Sequence, residues 1–353
     1  MCDNTHVKCK MLVINVALLL LIDQVVWKRL YDGSSVMDSG SLFQLRTLIN
    51  RRNVVSDVSK NLTACEEFME LVTVGHVLAA AIHIAGAADI AGLSTNILSP
   101  GNSPMMNIIS ITKTLCHQMV TLVFTKDASK ARSSSNDHVM EYAKETLSLG
   151  LLLLEFKDAV REGDGNRVLR CWKFFFLIFH ATQHKNYCLE AFNLLMQYYY
   201  VLPPRYAQQM LWGRFINSEG KPGHNISADL HMEHLNRLLK RTISHLGANK
   251  TPQAIERAGK VLGVLNDILI EFDQSTGGHA SSMHTIRSEA EDLIKVVTEL
   301  SEKWVFNYES GRKHKTFPSI ECNKLLKRIK EKKLQKWMTT NASKILKCSY
   351  LCR

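Results

Sequence analysis

Apolar residues in this chain recur at intervals of three and four over stretches far longer than a strand. Ile255, Ala258, Leu262, Leu265, Leu269 and Phe272 form one such series, and Ile286, Ala290, Leu293, Val297, Leu300 and Trp304 form another. Steps of three and four return to one side of a helix, whereas a half-buried strand needs strict alternation. No alternation of convincing length occurs, and there is no internal repeat. Only seven prolines interrupt 353 residues, and 46% of the residues are hydrophobic, enough for a sizeable core. The expected fold class is all-α, a multi-helix bundle.

Clusters of Gly, Pro, Ser and Asn divide the helices at 32–40, 94–104, 125–137, 217–227, 274–282 and 307–319. Residues 63–85 and 106–124 read as long helices. Residues 147–156 are apolar nearly all round, which predicts a central buried segment. Gly163 followed by Asp164 supplies a helix end and a fresh N-cap, and Thr251-Pro252 supplies another start. The two late apolar series, joined by a Gly-Gly loop, predict an antiparallel hairpin packed through Leu262, Leu265, Leu293 and Val297. Three regions result: an N-terminal helical region over 1–130, a helical core over 131–305, and a basic tail over 306–353. Serine-rich residues 132–135 are the expected linker.

Charge is concentrated at one end. The net +11 is carried by residues 303–353, with 14 Lys or Arg against 3 Asp or Glu, while residues 1–302 hold 30 of each sign. Such a tail attracts phosphate backbones, anionic lipid or an acidic partner. Lys324, Lys327, Arg328, Lys330, Lys332, Lys333 and Lys336 share a segment with Leu325, Leu326, Ile329, Leu334 and Trp337, the pattern of a basic amphipathic helix. These seven are the candidate nucleic-acid contacts, within residues 303–353. A solvated helix docked by its apolar stripe is the alternative, and a membrane surface is the less favoured partner.

The chain is expected to be intracellular, in the nucleus rather than the cytoplasm. Its nine cysteines contain no Cys-x-x-Cys pair, and Cys65, Cys171 and Cys188 lie in apolar stretches as small hydrophobes. The apolar run Met11–Ile22 superficially resembles a signal peptide, but it is about half the ~20 residues a membrane span needs. A buried helix is favoured there, with a targeting segment kept open.

The segment 212–240 carries the densest set of chemical groups. His224, Asp229, His231, Glu233 and His234 fall within eleven residues, leading into a helix near Ser227. His231 and His234, three apart, share a helical face and could hold a divalent metal with Asp229 or His224, leaving Glu233 as a base. A helix start rich in polar groups explains the same residues, and the His-Glu-x-x-His spacing of metalloproteases is missing. No cofactor is expected beyond that metal. His180 and His184 are a weaker pair. Nucleotide-binding glycine loops and Gly-x-Ser-x-Gly are absent, so the residues favour a non-enzyme.

The stretches WKRLYDGSS, LRTLINRRNVVSDVSK, EFKDAVREGDGNRVLRCWKFF, RFINSEGKPGHNISADLHMEHLNRLLKR and SHLGANKTP, spread over 27–252, resemble the family called domain of unknown function 6589. The family has no established activity and resembles proteins spread by mobile elements. Its fuller members carry Gly-Asp-Gln and Asp-x-His motifs upstream, similar to transposases with an RNase-H-like core that hold two metal ions on three carboxylates. The resemblance implies that this chain is the helical part of such a protein and that Glu233 is the last carboxylate, with His231 or His234 beside it. The upstream motifs are missing here, so an N-terminally incomplete member without a full active site is expected. The combined expectation is a mobile-element-derived remnant that binds nucleic acid electrostatically. A metal-dependent nuclease or strand-transfer domain and a non-catalytic scaffold are the alternatives.

Overall fold

In the computed structural model, residues 26–97, 104–124, 137–217, 220–245, 247, 250–276, 289–318 and 329–351 are described. After a helical turn at Lys28–Leu30 come α1 (Leu42–Leu48), α2 (Leu62–Ala85), α3 (Ile90–Ile97), α4 (Pro104–Phe124), α5 (His138–Glu162), α6 (Gly165–Ala181), α7 (Lys185–Met196) and α8 (Pro204–Trp212). A two-residue strand β1 (Phe215–Ile216) pairs antiparallel with β2 (Ile226–Ser227), the only sheet among the described residues. There follow α9 (Ala228–His245), α10 (Pro252–Thr276), α11 (Glu289–Glu302) and α12 (Glu331–Leu351). The fold is all-α. The run Met11–Ile22, the linker 132–135, and Lys324, Lys327 and Arg328 lie outside the described residues.

Helix ends follow local chemistry. The Asp164 side chain accepts from the backbone N–H of Asn166 and Arg167, while Gly163 takes the left-handed φ of 68° that closes α5. The Thr251 hydroxyl accepts from Ala254 N–H, opening α10 with proline at its first position. Asp137 does more than cap α5 through Val139 and Met140. Its second oxygen accepts from Glu309 N–H and from the Arg312 guanidinium at 2.5 Å, and its side chain is fully buried.

The helices stack in sequence: α11 on α2, α2 on α5, α5 on α6, α6 on α7, and α12 on α7. Two glycines set the closest approaches. A Cβ at Gly75 would lie 2.6 Å from Val296, and one at Gly150 only 2.1 Å from the Thr73 hydroxyl. α2 is long and apolar enough to cross a membrane, with a mean hydropathy of 1.7, but over half of it is covered by its neighbours.

One packing expectation is corrected. Among the described residues α11 buries Val296, Val297 and Leu300 and lies on α2, while α10 lies on α9, so the expected α10–α11 hairpin is not the packing found there. The glycine- and alanine-lined side of α2 admits α11 more closely than another large-residue helix would. The side chains of Leu262 and Leu265 lie outside the described set. Within 147–156, Leu147, Leu149, Leu153 and Phe156 are buried in the core, while Leu151 is exposed. The preceding turns, 139–147, are buried throughout, including Glu141, Lys144 and Glu145. Burial of Glu145 is offset by Arg29 at 2.5 Å.

A strap over 305–318 crosses this core. Val305, Phe306 and Phe317 are buried in it. The Asp38 carboxylate accepts from the N–H groups of Lys315 and Thr316, and His314 Nε2 lies 2.9 Å from Ser39 O. Tyr142 donates to Leu30 O and accepts from Leu42 N–H, with burial pushing its phenol well above the usual range. Cys171 and Cys188 are buried free thiols pushed up to about 12 by desolvation, and Cys65 moves the same way. They are inert hydrophobes, as their positions in the sequence predict.

Candidate nucleic-acid interface

α12 docks by one side only. Trp337 enters an aromatic nest, its ring 5.4 Å from Phe192 and 5.9 Å from both Phe176 and His180. Leu334, Met338, Ala342, Ile345 and Leu346 also pack against the core. At about 100° per residue, these positions sweep one half of the helix. The other side presents Lys332, Lys333, Lys336, Lys344 and Lys347, all exposed, with Thr340 and Ser343 between them. Those seven side chains span roughly 120° of arc with no acidic residue among them. Lys330, just before the helix, is exposed as well.

One border of the lysine arc meets a cavity of ≈ 570 Å³ between α6, α7 and α12, with Thr339 in its wall. Tyr199 and Tyr200 line its rim and stand 47% and 75% exposed, carried outward by a π-helical turn at Gln197–Val201. Lys173 sits 5.2 Å from the centre of the Tyr199 ring. Sequence reasoning missed this rim. Its signal is the Tyr198-Tyr199-Tyr200 run just before Leu202-Pro203-Pro204.

The histidine segment is arranged differently. Glu233 is exposed and 3.8 Å from Arg237 on the next turn, an ordinary helix-surface pair. His234 and His224 are exposed, while His231 and Asp229 are half-buried. Asp229 acts on Arg214, a buried guanidinium whose pKa is lowered by desolvation and partly restored by that carboxylate. Among the described residues, no three His, Cys, Asp or Glu side chains gather closely enough to hold a metal ion. His180 lies edge-on to Trp337, and His184 sits at the start of α7 with Nδ1 3.0 Å from Thr182 O.

The family of unknown function DUF6589 matches residues 20–284, three quarters of its length. The chain belongs to that family. The DUF6589 match ends before the strap and α12, so the lysine helix lies beyond the matched part. No curated protein and no solved structure matches the chain.

Proposed function

We propose that this DUF6589 member binds nucleic acid through the lysine side of α12, with single strands preferred over duplex. The observation that carries the reading is the docked helix: it spends its apolar half on the core and leaves five lysines on one arc with no acid among them. A backbone tracking that arc would exchange condensed counterions for lysine contacts. Tyr199 and Tyr200 at its border supply flat, exposed faces, and stacking on such a ring is worth about 1–3 kcal/mol per base.

The test compares the parent with a variant carrying Lys332→Gln, Lys333→Gln, Lys336→Gln, Lys344→Gln and Lys347→Gln, at several salt concentrations, on single-stranded and duplex DNA. The variant should lose most retention on both, with far-UV circular dichroism unchanged. Tyr199→Ala with Tyr200→Ala should weaken single-strand binding by about tenfold or more and leave duplex binding nearly as it was. Equal retention of the five-lysine variant and the parent would sink the proposal.

A further inference from the structure

The cavity of ≈ 570 Å³ between α6, α7 and α12 falls inside the range of about 300–1,000 Å³ usual for ligand sites. Met338, Ala342 and Leu346 line it from α12 at steps of four, so they form a single row along that helix. Ala342 is the small member of the row, and its methyl leaves a recess between two larger neighbours. Phe176, Phe192 and Met196 of α6 and α7 make the opposite wall and are buried. A methionine in each wall suits a flexible occupant, because an unbranched thioether shifts among rotamers at little cost.

Polar groups are confined to the mouth. Lys173, Tyr199, Tyr200 and Thr339 are exposed, and the lining behind them is apolar. Thr339 donates its hydroxyl proton to Gln335 O on its own helix. Lys173 is therefore the charged group that an occupant meets, held against the Tyr199 ring with Nζ 5.2 Å from its centre. Among the described residues it has no carboxylate partner, and no Asp or Glu lines the cavity. The site is an apolar slot with one cation at its lip. A nucleobase would find no hydrogen-bonding partner in its depth, and a polyol would find fewer still. An alkyl chain that ends in an anion matches both the depth and the lip.

We propose that this cavity binds a free medium-chain alkyl carboxylate, with the hydrocarbon along the Met338–Ala342–Leu346 row and the carboxylate on Lys173. The row is about 12 Å long, from eight steps of ~1.5 Å along the helix. Carbon–carbon bonds of about 1.5 Å advance a zigzag chain by a little less than that per atom, so roughly ten carbons run its length. The inference does not rest on nucleic-acid binding. Such a ligand carries no base, and the outward lysines of α12 take no part in holding it.

Isothermal titration calorimetry of the full chain with hexanoate, octanoate, decanoate and dodecanoate, each below its micelle concentration, tests it. Decanoate should saturate at one per chain. Affinity should rise about two- to fourfold per added methylene up to roughly ten carbons and level off beyond. Ala342→Leu fills the recess, so it should abolish uptake while the melting temperature holds or rises. Lys173→Gln, at an exposed position, should weaken decanoate by about two- to fivefold and leave decanol as in the parent. Lys173→Glu should reverse the order of decanoate and decyltrimethylammonium. The five-lysine variant of α12 should take up decanoate like the parent, so a failed nucleic-acid reading would leave this one standing. A parent without saturable uptake would overturn the proposal, as would decanol or decyltrimethylammonium binding the parent as tightly as decanoate. Undiminished uptake by Ala342→Leu would put decanoate elsewhere and overturn the site. Retention on vesicles of anionic lipid without uptake of free decanoate would assign the mouth to a membrane surface, and the proposal would fall.

Discussion

His76 is fully enclosed within α2, with Nδ1 2.8 Å from Val72 O and the ring edge-on to Phe306. Among the described residues its Nε2 finds no hydrogen-bond partner. Desolvation lowers its pKa from 6.5 to about 4, so the folded protein holds it neutral. As the pH falls, the unfolded chain takes up this proton first. Stability is fully present above about pH 6.5, declines as the pH drops towards 4, and levels off below that, a loss on the order of 3 kcal/mol from this group. His314 in the strap is shifted the same way by burial and adds to the slope. His76→Leu should flatten the dependence of the urea midpoint between pH 7 and pH 4.5 (about the span of the titration). An unchanged slope in that variant would show that the dependence comes from elsewhere.

At the scale of helices, contact distance rather than hydrophobicity decides which pairs form. Gly150→Ala should drive a methyl into the Thr73 side chain, which is buried and donates to Met69 O, costing about 1–3 kcal/mol. Gly259→Ala on α10 meets nothing within 4 Å and should be neutral or stabilising by up to about 1 kcal/mol, from helix propensity alone. Thermal melts of the two variants should move in opposite directions, and equal losses would contradict the packing account. The same contrast explains what could be read from the sequence. Periodicity located the helices, and Gly163-Asp164 and Thr251-Pro252 gave two of their ends correctly, because caps are local chemistry. Periodicity names an apolar face but not its partner. Nothing near Val296 in the sequence says that Gly75, more than two hundred residues earlier, leaves the room for it. Lys332, Lys333 and Lys336 of α12 were legible for the same local reason, while Lys344 and Lys347 were not singled out. The tyrosine rim beside them was not, because Tyr199 and Thr339 meet only through the fold.

The whole molecule separates charge from core. Residues 1–302 are balanced and residues 303–353 carry the net +11, yet this charged end is tied into the body at several places, among them the Arg312–Asp137 pair and Trp337. Those ties allow charge number and charge geometry to be varied independently. Trp337→Ala removes the anchor of α12 and leaves every lysine in place. If duplex binding is governed by counterion release, that variant should keep the parent's log–log salt slope to within about one contact, at ~0.9 per phosphate. The five-lysine variant should lower the slope by up to about 4.5 on the same scale. Single strands should respond otherwise, because stacking on Tyr199 and Tyr200 requires the lysine arc to lie beside them. With α12 released, the preference for single-stranded over duplex DNA should shrink while duplex affinity barely moves. Filter retention on both substrates across a salt series, with limited proteolysis to show that α12 has been released, measures each quantity. A Trp337→Ala variant that loses as much duplex slope as the five-lysine variant would show that the fixed shape of the interface, not the number of its charges, governs the contact.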